Sequence, residues 1–558
     1  MSSLLPAQDK YPTNYFIAPL DIELKLVGTF GELRSDHFHS GIDIKTGEVE
    51  GLEIRAIADG YVSRIKIRSG GYGNALYITH PNGFVSVYGH LQRFIDPIKS
   101  YTRNAQYQNE SFSVDLYPDK NQLKVVKGQI IAWSGNSGSS TGPHLHFEIR
   151  EEVSQKTVNP LLFGIDVKDN TIPIINMVKI YPFNKQTTIN GKNEAVGFFA
   201  KRSGNVYVPV KNDTIEISGN IYFGINTFDP FNGGQNVNGV YSIQLFVDST
   251  EIYSHDLENF SFAESRYINS FIDYKEYKQK SRRIQKSYIQ PNNRLTIYNH
   301  VDNRGIIHFG EDGTHQITYL VKDIKGNEAK LSFYVRGKIG EISEKKEKTG
   351  GILFNYTGQN KFETTEVKFD LPGKALYDTI YFKYKVLPKT KDAVTPIYQI
   401  HYDYVPLHSF GKLAIKVDSL PPGLKAKALI ARIDNKGKPS YSGGKWNNGF
   451  LETSIRQFGN YCAMIDTVSP TISPLNIKNG KTLAKQNTIK LRIKDSFSGI
   501  KSFRGTLNDK WILMEYDAKR SLLTYRFDEK LLSGKNVFIL TVTDKLNNTN
   551  TYTANIIK

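Results

Sequence analysis

The sequence predicts an all-β fold, on three observations. Aromatic residues make up 12% of the 558, with 33 Tyr and 31 Phe, and such side chains favour the pleated, half-buried surface of a sheet. Short β-rich runs recur between Gly, Asn and Pro punctuation. Helix-favouring Leu/Ala runs are scarce. The remaining composition, 39% hydrophobic and 23% charged, is that of a folded protein. At ~100–200 residues per domain the length predicts three or four domains. No apolar run reaches ~18 residues, so no transmembrane helix is expected. The single cysteine, Cys462, excludes an intrachain disulfide and a Cys-rich metal site; it is expected as a buried small hydrophobe.

Taken in order, the first segment reads as short strands and tight turns. Leu52–Ile57, Tyr61–Ile67, Ala75–Thr79 and Phe84–Tyr88 are β-rich runs. Pro81-Asn82-Gly83 between the last two predicts a hairpin, because Asn-Gly accepts positive φ angles. Val125–Trp133 and His144–Arg150 continue the pattern. The ten residues Met1 to Lys10 lack a basic, apolar leader but resemble the tail of one at Leu4–Gln8, so a shortened or replaced leader is expected.

Beyond about residue 165 the character changes. Asp169-Asn-Thr-Ile-Pro173 and Asp466-Thr-Val-Ser-Pro470 each open a unit. Gly313–Asn327 and Gly534–Asn548 each run as strand, Asp-containing turn, strand. This diverged repeat predicts immunoglobulin-like β-sandwiches. The charged stretch Glu341–Thr349 is a linker candidate. Alternation at Ile380–Val386 and Ala428–Ile433 predicts strands in a middle unit. Tyr267, Ile268, Phe271 and Ile272 have partly helical spacing. The domains expected are therefore 1–165, 166–340 (a sandwich with an insertion), 350–463 and 466–558.

Charge divides unevenly along the chain. Residues 1–165 hold 16 Lys and Arg against 17 Asp and Glu, whereas the rest hold 56 against 38. The surplus downstream suggests an anionic partner, such as an envelope polymer, or solubilising charge spread over strand faces. Lys275–Lys286, six basic residues and one acid with Tyr274, Tyr277 and Tyr288 in or beside it, is expected as a solvated face. No nucleic-acid motif accompanies it, and no nucleic-acid partner is expected.

Three pieces of the first segment carry chemistry: His39-Ser-Gly-Ile-Asp43, Tyr88-Gly-His90-Leu91 and Gly142-Pro-His144-Leu-His146-Phe-Glu148. On a strand the two imidazoles of His-x-His fall on one face. A hydrolytic zinc site needs three protein ligands and an open position. His39, Asp43 and one of His144 and His146 would supply it, leaving the other histidines for proton work near neutrality. Glu148 falls on the same face and either orients an imidazole or plays a structural part. His37 is expected at the surface and His80 in a structural role. Ser137, Ser139 and Ser140 belong to a turn, since no Ser-His-Asp arrangement is evident.

In these motifs the segment of about residues 15–165 resembles the lysostaphin/LytM family of zinc metallopeptidases that cut peptidoglycan peptides. Asp59-Gly-Tyr-Val, Gly71-Tyr-Gly-Asn74 and Lys127–Gly138 add to the resemblance. It implies an antiparallel β-sheet peptidase domain and one zinc ion held by His39, Asp43 and His146. His144 and His90 would be the catalytic histidines. It also implies a metallo-endopeptidase of the cell envelope, periplasmic or secreted, with peptidoglycan peptides as substrate; the downstream charge adds anionic envelope polymers, or an envelope protein, as candidate partners. The rival expectation is a peptidase-like adaptor that binds without cutting. One departure is the long insert Gln92–Val126, with Tyr101, Tyr107, Phe112 and Tyr117, which either shapes substrate access or packs on a neighbouring domain.

Overall fold

A computed structural model describes residues 10–211, 213–231, 237–339, 350–418 and 420–558. The leader-like start and the linker candidate Glu341–Thr349 lie outside the described residues. The chain is nearly all β, 47% strand and 7% helix.

The first module contains strands β1 (Leu26–Gly28), β2 (Ile42–Lys45), β3 (Glu53–Arg55), β4 (Gly60–Ile67), β5 (Asn74–Thr79), β6 (Phe84–Gly89) and β7 (Arg93–Phe94). Helix α1 (Ile98–Gln108), β8 (Val114–Leu116), β9 (Lys124–Val125), β10 (Ile130–Trp133) and β11 (His144–Glu151) follow. The main sheet runs β1-β2-β11-β6-β5-β4-β8, and β3-β10-β7 form a small second sheet. The expected hairpin joins β5 to β6, with Gly83 at φ 81°. Register sets the site. On β11, His146 lies opposite Asp43 of β2 and Gly89 of β6, and directly opposed residues of antiparallel strands share a face.

The insert contains a helix that periodicity did not predict. α1 buries only Ile98, Thr102 and Gln106, and turns Arg103 and Tyr107 towards residues 511–529.

The buried cluster of the first module continues into downstream residues. Phe260 stacks near Phe30 and Phe38, at 4.9 and 5.5 Å, and Phe271 lies 5.6 Å from Phe38. The strand Thr157–Val158 pairs with Asn259–Phe260, so the segment around 260–297 extends the first sheet and its core. The helical spacing at 267–272 forms a short helix over Ile268–Phe271, and a second follows over Tyr274–Lys280.

Further downstream, three β-rich modules follow. Strands between 174 and 337 form a twelve-stranded arrangement around Val178, Phe223, Leu245 and Tyr319. Two five-stranded sheets then enclose Phe369, Leu413, Ile430 and Tyr461. A four- and a five-stranded sheet close the chain around Leu491, Leu523, Phe538 and Leu540. One expected strand is broken. Ile380–Val386 divides into Ile380–Phe382 and Tyr384–Leu387, which pair with different partners. At the break the Lys383 N–H donates to the His401 side chain, at 3.1 Å, instead of to a strand.

Candidate metal centre

Four imidazoles meet above β11. His39 arrives on the loop before β2, where its N–H donates to Glu32 O and its carbonyl accepts from Gly31 N–H. His90 follows Gly89 with φ 59°, which turns the chain off β6. His144 and His146 alternate on β11, as the strand period requires.

Each imidazole has its outer nitrogen engaged. His39 Nδ1 lies 2.8 Å from Thr29 O, His90 Nδ1 2.9 Å from Ser137 O, and His144 Nδ1 2.9 Å from Gly142 O. His146 Nε2 lies 2.8 Å from Glu148 Oε1. These partners are acceptors, so each outer nitrogen carries the hydrogen and each inner nitrogen presents a lone pair. His39 Nε2 and His146 Nδ1 then face each other at 3.1 Å, with Asp43 Oδ1 3.1 Å from the first and 2.9 Å from the second. Two lone pairs and a carboxylate oxygen this close suit a cation between them, whether a proton or a metal ion. Donor atoms ~2.0–2.1 Å from a tetrahedral ion sit about 3.3 Å apart, close to this spacing. The donor set therefore fits a zinc-type ion.

Local electrostatics agree. Burial alone would raise the Asp43 carboxyl, but the His39, His144 and His146 imidazoles around it outweigh burial and hold Asp43 well below the usual carboxylate range. Burial would lower His146, yet hydrogen bonds to Asp43 and Glu148 push it up to about 9. A metal ion at this point would take the place of the proton on His146 Nδ1. Burial, with His146 and His144 beside it, pushes His90 down to about 3, which keeps it neutral.

Glu148 is fully buried and anchors a second layer. Tyr72 and Ser40 hydroxyls donate to Oε1, Ser40 at 2.6 Å, and Arg150 Nε donates to Oε2 at 2.7 Å. The Tyr72 ring stacks on His146 at 4.9 Å. Of the two roles open to Glu148, the structure gives the orienting one. His37 is exposed and pairs with Asp36. His80 is buried away from the centre between Asp59 O and Ser86 Oγ. Ser140 Oγ lies 3.2 Å from His144 Nδ1 and donates to Gly142 O.

Sequence reasoning did not assign roles to Ser40, Tyr72, Arg34 or Arg150. Arg150 was recoverable: it continues the period-2 series 144, 146, 148, 150 on one face. Arg34 Nη2, 2.8 Å from Asp43 Oδ2, had no spacing signal. Two further carboxylate groups gather near module junctions: Asp169 with Asp229 and Asp323, and Asp466 with Asp495 and Asp544.

Comparison with known proteins follows this geometry. Residues 37–108 and 104–160 match peptidase family M23, and residues 352–466 match a Zu5-like domain. The DD-carboxypeptidase/endopeptidase Mpg of Neisseria meningitidis serogroup B is 33% identical over 139 residues, 25% of this chain and 26% of that protein. The murein hydrolase activator NlpD of Escherichia coli is 34% identical over 141 residues, 25% of this chain and 29% of that protein. The chain thus spans under a third of the length of these curated relatives. Among solved structures, the catalytic domain of the prophage-encoded M23 protein EnpA of Enterococcus faecalis is 28% identical, covering 27% of this chain and 98% of that one, with a TM-score of 0.20. The lysostaphin catalytic domain of Staphylococcus simulans is 25% identical, covering 25% and 92%, with a TM-score of 0.19. The amino-terminal module thus matches peptidase family M23 over residues 37–160, and a match to a Zu5-like domain lies downstream.

Proposed function

We propose that the M23 domain of this chain is a zinc-dependent endopeptidase that hydrolyses peptide bonds in peptidoglycan cross-links or stem peptides within the cell envelope. One observation carries the reading: four imidazoles, each with its outer nitrogen held by an acceptor, turn their inner nitrogens towards one centre beside Asp43. His39 Nε2, Asp43 Oδ1 and His146 Nδ1 would hold the ion. When bound, zinc supplies Lewis acidity and lowers the pKa of a water.

The protein's own groups do the rest. His144 and His90 remain outside the ligand set. The His144 Nε2 lies 3.5 Å from Asp43 Oδ1, and the two rings are 4.8 Å apart. With its Nδ1–H donated to Gly142 O, His144 Nε2 would take one proton from the attacking water and pass it to the leaving amine. His90, its Nδ1–H donated to Ser137 O, would hold that water through Nε2, and the water's second proton leaves with the new carboxyl group. Glu148 fixes the tautomer of His146, and Arg150 keeps Glu148 ionised. No helix among the described residues is long and apolar enough to cross a membrane.

A second reading, a wall-binding adaptor, draws on the likeness to a protein named a murein hydrolase activator. Retention of both non-ligand histidines favours the enzyme. The deciding experiment is zinc analysis and digestion of purified peptidoglycan, with products identified by mass spectrometry. His146→Ala is expected to lose zinc and activity. His144→Ala and His90→Ala are expected to keep most of the zinc and lose ~10²–10⁴ in turnover. Zinc loss from His144→Ala with retention in His146→Ala would reverse the ligand assignment. A zinc-loaded wild type that digests nothing supports the adaptor.

A further inference from the structure

The cleft over the metal centre, about 1330 Å³, is not built by the M23 domain alone. Arg266, Arg282, Arg283 and Arg456, from the second and third modules, line it together with Arg34. Glu32, Asp36 and Asp43 are the only carboxylates among the described lining residues. Two positive charges are therefore in surplus, even though Asp43 already serves the metal group. Arg282 and Arg283 belong to the basic run that the sequence suggested was a solvated face; in the fold they form part of this wall.

The existing pairings leave two of the five without a carboxylate in contact. Arg34 meets Asp43 and Glu32 at 2.8 and 3.3 Å. Arg266 meets Asp36 at 3.2 Å, and Arg282 meets Glu276 at 3.3 Å. Among the described residues no carboxylate lies within 4.0 Å of Arg283 or Arg456. Arg283 stacks 5.0 Å over the Tyr277 ring, and its Nε is buried without a hydrogen-bond partner. Arg456 rests 5.2 Å over Phe410 and donates through Nε to His408 O at 2.8 Å. Arg266 donates to the Arg456 backbone carbonyl at 3.4 Å, and its charge also acts on the Arg456 guanidinium. Guanidiniums fixed in a partly desolvated wall with carboxylates only at a distance, Glu32 from Arg283 and Asp36 from Arg456, are costly, so this arrangement suits an anion that arrives with the ligand. The planar fork of Arg matches a carboxylate in particular.

We infer that Arg283 and Arg456 form a carboxylate-binding subsite, by which the cleft prefers peptides carrying free carboxyl groups near the scissile bond over uncharged peptides such as a glycine bridge. The inference rests on the peptidase reading for its substrate class. Its physical basis, two arginines of the cleft wall with no carboxylate in contact, would also be present in a protein that binds and does not cut.

The test uses the full-length, zinc-loaded protein and four probes: a cross-linked stem peptide with free carboxyls, the same peptide with side-chain carboxyls amidated, the same with terminal carboxyls amidated, and pentaglycine. Hydrolysis is measured as kcat/KM, and binding by calorimetry on the His144→Ala protein. The free-carboxyl peptide is expected to exceed at least one amidated form by about tenfold or more in both measurements, with the preference shrinking as salt rises. Whichever amidation abolishes the preference identifies the carboxyl recognised. Arg456→Gln and Arg283→Gln should bring the ratio towards one, and Arg456→Lys should restore part of it. The two substitutions occupy different modules, so misfolding of one leaves the other as a probe. Equal hydrolysis and equal binding of free and amidated peptides would overturn the subsite and leave the peptidase reading standing. Carboxyl-dependent, Arg456-dependent binding without hydrolysis of any probe would sustain the subsite and remove the peptidase. Polyphosphate binding more tightly than every peptide, in an Arg456-dependent way, would reassign the wall to a phosphate polymer and overturn the inference.

Discussion

Single histidines in this chain show how position decides chemistry. His146 and His80 are both buried, yet one is driven towards positive charge and the other away from it. Around His146 two carboxylates outweigh desolvation. Around His80 the hydrogen-bond partners are a carbonyl and a hydroxyl, Nδ1 lying 2.8 Å from Asp59 O and Nε2 2.8 Å from Ser86 Oγ, and the Asp59 carboxylate acts too weakly to offset burial. Burial therefore pushes His80 down to about 4. The folded protein holds this imidazole neutral, whereas an unfolded chain protonates it below about pH 6.5. The unfolded state then binds more protons between those values. This contribution to stability is complete above pH 6.5 and is lost as pH falls towards 4. His80→Asn should lower stability at pH 7.5 by about 1–3 kcal/mol, through the lost hydrogen bonds. It should also flatten the decline between pH 7 and 5. Hydrogen exchange of β5 and β6 amides against pH reads this local stability; identical pH slopes in variant and wild type would count against it.

At the scale of elements, the site depends on loops that touch without side chains between them. The turn before β5 and the Gly/Ser loop before β11 meet at Gly73 and Gly138. A Cβ on Gly138, at φ 72°, would lie 2.3 Å from Gly73 N and 2.4 Å from Gly71 O. The neighbouring Ser137 carbonyl holds His90 Nδ1, and its hydroxyl donates to Leu91 O. Gly138→Ala should therefore force the loops apart, release His90 and reduce turnover by at least ~10², while zinc content stays near that of the wild type. Unchanged turnover would show that the loop tolerates the displacement. These elements were partly legible in the sequence, since turns, alternation and His-x-His spacing are local signals. The paired repeats were legible too, and the fold explains them. Asp323 accepts from Lys325 and Asn327 N–H groups, and Asn327 Nδ2 donates to Asp169 O. Asp544 and Asn548 do the same for Asp466. Each opening Asp is thus tied to its own closing turn. What remained hidden was the cleft wall, because Arg266 and Arg456 join the cleft that holds His144 only through tertiary packing and leave no spacing along the chain. Helix α1 was hidden for a related reason: its stabilising contacts come from the far end of the sequence, and it buries little on its own face.

Those contacts define the molecule as a whole. The last module folds back onto the first, some 400 residues upstream. Arg103 Nη2 meets Asp528 at 3.1 Å and Glu529 at 2.7 Å. Tyr107 donates to Asp528 and packs edge-on against Trp511 at 5.2 Å. Arg504 bonds Glu110 at 2.5 Å. From the same module Lys519 reaches the Gly/Ser loop, donating to Asn136 Oδ1 at 3.0 Å and to Ser140 O at 2.8 Å. Ser140 and Gly142 in turn contact His144. The carboxy-terminal module thus braces the loop that orients a proposed catalytic imidazole. An aromatic edge pair contributes ~0.5–1.5 kcal/mol beyond its buried area, and exposed ion pairs ~0.2–1 kcal/mol each. The Tyr107 cluster is therefore the part of this contact whose loss matters most. Tyr107→Ala combined with Arg103→Ala should let the last module swing away. The radius of gyration in solution scattering should rise. Hydrogen exchange should quicken in α1 and in residues 135–142, and turnover should fall while zinc content holds. Faster exchange in α1 alone, with the 135–142 loop as protected as before, would mean that Lys519 rests on the loop without bracing it. An unchanged radius and unchanged exchange in both segments would mean that the modules are held together elsewhere, through the shared core around Phe260 and Phe271.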